Sequence, residues 1–216
     1  MFVVLEGLDG SGTTTQTDAV SKALTERGLS VKTDHEPVYN SPTGNLIQRI
    51  LTKEIREPDA FSLALLYASD RYQHMSYAKK WFSKYDVVLF DRYTLSSYAY
   101  QTAHISEQYP NIHPHMIFSW LIQLQKYVPK PDKTFFLNVD PKVCMARIAK
   151  RKNQKEFFDS RLLAVHENYQ FLLTNKASVY KYLPEGEHTE IINGDRNVEL
   201  ITEEIVNRIV SGKSND

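Results

Sequence analysis

The chain has 216 residues, of which 42% are hydrophobic and 24% charged, as expected for one globular domain with a sizeable core. Lys+Arg and Asp+Glu both total 26, so no net charge draws the protein to nucleic acid or to an anionic membrane. The single cysteine, Cys144, excludes an internal disulfide framework, and we expect a buried structural thiol in a reducing compartment.

Short apolar runs alternate with helical patterns along the chain. In chain order, the predicted elements are strand 2–6, helix 14–27, strand 29–37, helices 43–53 and 59–82, strand 85–93, helix 113–127, strand 130–141, helices 141–151 and 156–181, strand 189–194 and helix 197–210. Gly28 is placed to cap the first helix. This alternation predicts an α/β domain whose parallel sheet is covered on both sides. Ligands in such folds lie beyond the carboxyl ends of the strands.

The first apolar run, FVVL, is much too short to span a bilayer. Neither a cationic stretch nor a small-residue cleavage site follows it. We therefore expect a cytoplasmic protein with no membrane partner.

The stretch GLDGSGTTT, residues 7–15, joins the first strand to the first helix. Its glycines permit a tight turn that aims backbone N–H groups inward, and the helix start adds partial positive charge, so the loop is suited to bind phosphate. The alternative is a glycine-rich turn without a ligand. The usual pattern is G-x-x-x-x-G-K-[ST], but here Thr13 stands at the lysine position and Thr14 supplies the hydroxyl.

The lysine of this motif contributes a positive charge to the terminal phosphates, which Thr13 does not. A later stretch, 142–155, is basic and contains no acidic residue: Lys142, Arg147, Lys150, Arg151, Lys152 and Lys155. A solvated helix end explains Lys142 and Lys155. For the others, Arg147 and Arg151 above all, we predict a mobile flap, about 147–156, that closes over the phosphates and replaces the missing charge.

A second group of candidates lies on the helix LLYASDRYQH. Tyr67 and Arg71 are four residues apart and therefore share one helical face. A ring can stack on a base while the guanidinium reaches a phosphate from the same wall. A tyrosine on a helix is more often part of the core, so this pair is weak evidence alone.

The third group follows the apolar strand VVLF in the stretch DRYTLSSYAYQ. Asp91 and Arg92 stand at the strand's carboxyl end, where Asp91 can support Mg²⁺ and Arg92 can bind an acceptor phosphate. The alternative is an Asp–Arg pair that closes a turn. Further hydrogen-bonding side chains come on the next turns, namely Ser96, Ser97, Tyr100 and Gln101.

These motifs occur in the order found in one family: LEGLDGSGTTTQ, HEP, LLYASDRYQH, DRYTLSSYAYQ, PKPDKTFFLNVDP and ARIAKRK. Over nearly its whole length the chain resembles the thymidylate kinase family, a member of the nucleoside monophosphate kinase group of P-loop enzymes. The resemblance implies a single domain, 1–216, with a three-layer P-loop kinase fold around a central parallel five-stranded sheet. It also implies transfer of the ATP γ-phosphate to dTMP, Mg²⁺ as cofactor, and a homodimer formed through long helices.

The resemblance implies roles for individual residues. The ATP-binding set is Gly7, Leu8, Asp9, Gly10, Ser11, Gly12, Thr13, Thr14, Thr15 and Arg147, with Thr14 and Asp91 near the metal. The substrate-binding set is Asp9, Glu36, Arg49, Tyr67, Arg71, Arg92, Ser96, Ser97, Tyr100 and Gln101. Within it, Tyr67 would stack on the base, Arg92 would hold the acceptor phosphate, and Tyr100 would exclude a 2′-hydroxyl. Asp9, Arg92, Arg147 and Arg151 are the catalytic candidates.

The chain departs from the family pattern at two places. Thr13 replaces the loop lysine, a variant that related monophosphate kinases also carry. After Pro37 the usual Gly-Gly turn is Val38-Tyr39, and the family's arginine falls near Gln48 or Arg49.

Two further functions compete with dTMP phosphorylation. One is a kinase for another deoxynucleotide or a deoxynucleoside, although Arg92 favours an acceptor that already carries phosphate. The other is a nucleotide-binding protein without turnover, suggested by Thr13 alone.

Overall fold

The structure, a computed structural model, describes residues 1–150, 158–174 and 189–213. Within these ranges the strands are β1 (Phe2–Gly7), β2 (Val31–His35), β3 (Val87–Asp91), β4 (Lys133–Asn138) and β5 (Thr189–Asn193). They form one sheet in the order β2-β3-β1-β4-β5, and every neighbouring pair is parallel. The predicted fold class, an α/β fold around a five-stranded parallel sheet, is confirmed.

The described α-helices flank this sheet. They are α1 (Thr13–Glu26), α2 (Pro42–Leu51), α3 (Ala60–Ala78), α4 (Thr94–Gln108), α5 (Pro114–Leu124), α6 (Pro141–Lys150), α7 (Leu162–Thr174) and α8 (Val198–Lys213). None of them is both long and apolar enough to cross a bilayer.

The central strand β1 is buried along its whole length, and its side chains alternate between two cores. Val3 and Leu5 pack in the cluster that includes residues of α1 and α8. Phe2 and Val4 pack on the opposite face with Phe90 of β3 and residues of α3. A strand that is buried on both faces has a continuous apolar sequence, and FVVL therefore indicated a buried strand.

Most predicted elements are observed with shifted ends. Gly28 caps α1 as predicted: its φ is 83°, and the N–H groups of Gly28 and Leu29 donate to the carbonyls of Thr25 and Leu24. The predicted helix 59–82 ends as an α-helix at Ala78 and continues as a 3₁₀ turn, Lys79–Trp81. Of the predicted helix 156–181, the structure describes 158–174, which holds a 3₁₀ turn (Asp159–Arg161) and α7.

Helix α4 was not among the elements predicted from periodicity. Its N-cap residue, Tyr93, makes no side-chain capping bond, and its first turn has no acidic residue. The cap comes from another strand instead, because the Glu6 carboxylate accepts the N–H groups of Tyr93 (2.9 Å) and Ser96 (3.1 Å). This tertiary cap sets the first turn of α4 against the end of β1.

Candidate active site

The glycine-rich loop leaves β1 at the carboxyl edge of the sheet and leads into α1. Gly10 and Gly12 have φ values of 83° and 97°, a region that other residues rarely adopt. A Cβ on Gly10 would also come within 2.7 Å of the Cys144 carbonyl oxygen in α6. The loop therefore depends on glycine both for its turn and for its close packing against α6.

Thr14, at the start of α1, is joined to the neighbouring strand end. Its Oγ1 donates to Asp91 Oδ2 over 2.5 Å. Asp91 is buried, and its other oxygen, Oδ1, accepts no hydrogen bond from any described residue. A hydroxyl beside a carboxylate with a vacant oxygen is a donor set that suits Mg²⁺ bound partly through water and phosphate. The residues present thus fit the predicted metal, although the described residues contain no group of three or more acidic, His or Cys ligands.

A cavity opens between the loop, the end of β3 and helices α3 and α4. It is lined by Asp9, Glu36, Pro37, Tyr39, Leu51, Tyr67, Arg71, Arg92, Tyr93, Ser96, Ser97, Tyr100, Gln101 and Phe158. The structure thus brings together every predicted substrate-binding residue except Arg49. We refer to this space as the acceptor cavity.

Arg92 stands where the acceptor cavity meets the phosphate loop. Its Nη2 contacts Asp9 Oδ1 at 2.6 Å, and its Nη1 donates to the Gly7 carbonyl at 2.7 Å. The guanidinium also lies 5.3 Å from the ring centre of Tyr100, whose hydroxyl accepts the Asp9 N–H at 2.8 Å. Arg92 has φ of 70°, which is uncommon for a residue other than glycine and costs backbone energy. Backbone strain of this kind is concentrated at active sites and ligand-binding sites, where it holds a side chain in a required orientation.

Arg71 closes the opposite end of the cavity. Its side chain is only 3% exposed and donates to Glu36, Gln125, Ser97 Oγ (2.9 Å) and the Tyr93 carbonyl (3.1 Å). Tyr67 lies one turn earlier on α3 and lines the same cavity, so the predicted shared face is confirmed. Burial raises the pKa of the Tyr67 hydroxyl well above its ordinary value, and the ring is therefore neutral.

Comparison with known proteins identifies the chain's family. The family model described as thymidylate kinase matches residues 5–205. The chain belongs to the thymidylate kinase family. The probable thymidylate kinase of Methanocaldococcus jannaschii is 34% identical over 92% of this chain and 97% of its own length. That of Thermococcus kodakarensis is 32% identical over 95% of both chains. A solved thymidylate kinase from Candida albicans has the same fold, with a TM-score of 0.78, 23% identity and coverage of 100% of this chain and 93% of its own.

Thr13, the departure from the family's loop lysine, is buried at the start of α1. A cation nevertheless lies on the loop, because Arg147 Nη1 of α6 donates to the carbonyls of Gly10 (3.0 Å) and Ser11 (3.3 Å). Arg147 also lines a second cavity, together with Gly10, Ser11, Gly12, Thr15, Gln16, Gly194, Arg196, Val198 and Ile201. We call it the loop cavity. Arg151 and the rest of the predicted flap, 151–156, lie outside the described residues.

The other departure places Arg49 away from the cavities. It is half exposed on α2, and its Nε lies 3.4 Å from Glu54 Oε2. Tyr39, which stands in the segment where the family has a Gly-Gly turn, lines the acceptor cavity instead. Cys144 is the buried thiol that was predicted, and burial raises its pKa to about 11.

Glu6 is a site residue that the sequence analysis missed. It is fully buried behind Arg92, and besides capping α4 it accepts the hydroxyl groups of Ser96 and Tyr169 (3.1 Å). Burial raises the pKa of its carboxyl group. A carboxylate at the end of an otherwise apolar, buried strand needs hydrogen-bond partners, and this indicated a special role for Glu6. The sequence alone does not identify those partners.

Proposed function

We propose that this chain transfers the γ-phosphate of ATP to dTMP, giving dTDP and ADP. The observation that carries the proposal is that two separate cavities share one glycine-rich loop. Asp9 of that loop lines the acceptor cavity, whereas Gly10, Ser11 and Gly12 line the loop cavity. A donor and an acceptor bound in these cavities would present their phosphates to each other across the loop, which is the alignment that phosphoryl transfer requires.

In this assignment the loop N–H groups and the start of α1 hold the donor phosphates. An oxygen of the dTMP phosphate attacks the γ-phosphorus, the bond between that phosphorus and the β,γ-bridging oxygen breaks, and ADP leaves with the electron pair. Arg92 holds the acceptor phosphate, and its contacts with Asp9 and the Gly7 carbonyl fix the guanidinium relative to the loop. Preorganised charge of this kind lowers the barrier because it does not have to be rearranged during the reaction.

Mg²⁺, when bound, would be held by Thr14 and Asp91 and would neutralise charge on the donor phosphates. Arg147 contributes a second cation to the same loop. We infer that Arg147, together with Arg151 of the flap, replaces the lysine that Thr13 displaces. The proximity of Arg147 to the carbonyls of Gly10 and Ser11 supports this assignment.

The base end of the acceptor cavity is assigned to thymine. Tyr67 supplies a ring for stacking, while Arg71, Ser97 and Gln101 supply hydrogen-bonding groups around it. Tyr100 stands between this end and Arg92, where the deoxyribose of dTMP would lie, and Phe158 packs edge-on against its ring at 5.1 Å. A sugar with a 2′-hydroxyl would meet this packed ring, which favours a deoxynucleotide.

We also propose a cytoplasmic homodimer. Exposed apolar side chains lie on adjacent helices, Leu65 and Tyr72 on α3 and Met116 on α5. Tyr72 of α3 donates to the Leu124 carbonyl at the end of α5 (3.1 Å), and the rings of Phe61 and Trp120 are 5.2 Å apart, so the two helices lie side by side. Apolar patches of this kind mark association surfaces. Sedimentation velocity should give twice the mass of one chain, and replacing Leu65 and Met116 by Glu should give monomers.

The test is an ADP-coupled assay with ATP and Mg²⁺ against dTMP, dUMP, dCMP and thymidine. We expect dTMP to be the best acceptor and thymidine a poor one, since thymidine offers no phosphate to Arg92. Arg92→Ala should lower kcat/KM by about 100-fold or more, the size seen when one preorganised charge donor is lost. Arg27→Ala is the matched control, because Arg27 is exposed at the far end of α1 and bonds Asn207 (3.0 Å). Equal activity of Arg92→Ala and Arg27→Ala would remove Arg92 from the site.

A further inference from the structure

His74 is a buried titratable residue that has no role in the reaction proposed above. It lies on α3, three residues after Arg71, and its residue is 1% exposed. Its ring stacks flat on Phe90 of β3, with centroids 4.9 Å apart and an interplanar angle of 6°. Tyr77 and Trp81 also contact the ring, at 5.3 and 5.9 Å. The imidazole is therefore fixed in both position and tilt.

Both nitrogens of this ring face carboxylates. Nδ1 is 3.1 Å from Glu36 Oε1, and Nε2 is 3.5 Å from Asp34 Oδ2, an ion-pair separation rather than a hydrogen bond. Glu36 uses its other oxygen, Oε2, to accept from Arg71 Nε. A chain of alternating charge thus runs from Asp34 through His74 and Glu36 to Arg71 at the base end of the acceptor cavity.

The charges around His74 favour its protonated form. Burial alone would lower the pKa of the imidazole, but the close contacts with the Asp34 and Glu36 carboxylates outweigh burial and raise the pKa from 6.5 to about 9. Without that proton, the positive charge between the two carboxylates would be lost, leaving Arg71 beside the buried Glu36 and Lys32 near the partly exposed Asp34. Among the described residues, the titratable and charged groups around this network include Lys32, Asp34 and His35 of β2, Glu36 after it, and Asp70, Arg71 and Tyr77 of α3.

We propose that His74 is a positioning residue for acceptor recognition: as an imidazolium it fixes Glu36, which in turn holds Arg71 at the base end of the cavity, where Arg71 donates to Ser97. The inference rests on the proposed function for the identity of the acceptor. Because His74 lies behind Glu36 and lines neither cavity, it acts through Glu36 and Arg71 and touches no substrate. Loss of its charge should therefore weaken acceptor binding and leave ATP binding and the chemical step nearly unchanged.

The test uses His74→Asn, whose amide can still donate to Glu36 but carries no charge, and His74→Phe, which keeps only the stacking on Phe90. At pH 7.5 we expect KM for dTMP to rise about tenfold in His74→Asn, the effect of weakening one charge-assisted bond, and further in His74→Phe. KM for ATP and kcat should change less than about twofold. His115→Asn, an exposed histidine on α5, is the control.

The pH profile separates this role from a merely structural one. KM for dTMP in the wild type should rise as the pH passes about 9, whereas His74→Asn should lack that step. The ratio of the two KM values should therefore fall towards one above pH 9, and taking the ratio cancels the titration of thymine itself. Glu36→Gln combined with His74→Asn should cost less than the sum of the single changes, because both act on the same link.

Each outcome decides the inference. Equal KM for dTMP in His74→Asn and the wild type, a ratio that does not change with pH, or additive effects with Glu36→Gln would overturn it. If the wild type does not phosphorylate dTMP, the proposed function fails. Calorimetric titration of dTMP then tests the role of His74 separately, by comparing the dissociation constants of dTMP for the wild type and His74→Asn. If the wild type does not bind dTMP, the proposed function and the role of His74 are both overturned. Thermal unfolding of each variant shows whether it is still folded. If a His74 variant is unfolded, NMR titration of the wild type replaces it as the test, and the His74 ring must then remain protonated up to pH 8.

Discussion

Replacing Glu6 tests whether one buried carboxylate positions Arg92. Glu6 accepts two backbone N–H groups, those of Tyr93 and Ser96, and both lie in the segment that directly follows Arg92. Glu6→Ala removes their acceptor at a position that is itself fully buried, whereas the bond of Ser96 is only partly buried. The hydroxyls of Ser96 and Tyr169 lose Glu6 as well, but they still bond each other at 2.8 Å.

The size of the effect follows from this count of donors. Each buried donor left without a partner costs about 1–3 kcal/mol, so the Tyr93 N–H alone predicts a loss of about 1–3 kcal/mol in the free energy of unfolding, to which the partly buried Ser96 N–H adds. Glu6→Gln should behave differently. Its carbonyl oxygen can accept both N–H groups, its NH₂ can face hydroxyls that rotate to accept, and it removes the charge whose burial raises the pKa of Glu6. We expect its stability to lie within about 1 kcal/mol of the wild type.

Urea unfolding followed by circular dichroism measures both variants, with Glu26→Ala as an exposed control on α1. The dTMP assay of the same samples, at a temperature where each is folded, should give Glu6→Ala a lower kcat/KM than Glu6→Gln, since only the former frees the backbone at Arg92. Two results would refute the reasoning: a loss below about 1 kcal/mol in Glu6→Ala, or equal damage from both substitutions.

Three further predictions concern other parts of the site. Tyr67→Ala should raise KM for dTMP by about 5- to 150-fold, the equivalent of about 1–3 kcal/mol of stacking energy, with little change in KM for ATP; an effect on unfolding alone would make Tyr67 a core residue. Arg147→Ala should lower kcat more than it weakens ATP binding, and Thr13→Lys should restore part of the loss in steady-state kinetics; full activity of Arg147→Ala would contradict the relocated charge. Because the pKa of His74 is raised in the folded protein, protonation of His74 stabilises the fold, and this contribution is fully present below pH 6.5. The free energy of unfolding should therefore fall as the pH rises through about 9, and His74→Asn should not show this fall.

Local sequence was enough to predict the residues that follow the strands. Asp9 and Arg92 come directly after apolar runs, and parallel strands bring their carboxyl ends to one edge of the sheet. Helix α4 was harder to recognise because the site residues Ser97 and Gln101 are buried polar groups that interrupt its apolar spacing. These buried polar side chains obscure the helical periodicity, and they also form part of the cavity wall.

Links between distant elements could not be read from the sequence. Glu6 meets Tyr169 across 163 positions, and His74 meets Glu36 across 38, so each pairing depends on how helices pack on the sheet. Arg49 shows the converse limit. Counting along the family pattern made it a candidate, but the end of α2 turns it towards Glu54, and Tyr39 occupies the cavity wall.

The central claim, phosphoryl transfer from ATP to dTMP by a loop without lysine, is tested most directly by identifying the product. Wild-type protein at a concentration above that of dTMP is mixed with ATP and Mg²⁺, and the reaction is followed by ³¹P NMR. We predict that dTDP and ADP appear in equal amounts and that the new β-phosphate of dTDP grows as dTMP disappears. ATP that remains intact beside bound dTMP, or activity that appears only in Thr13→Lys, would contradict the account.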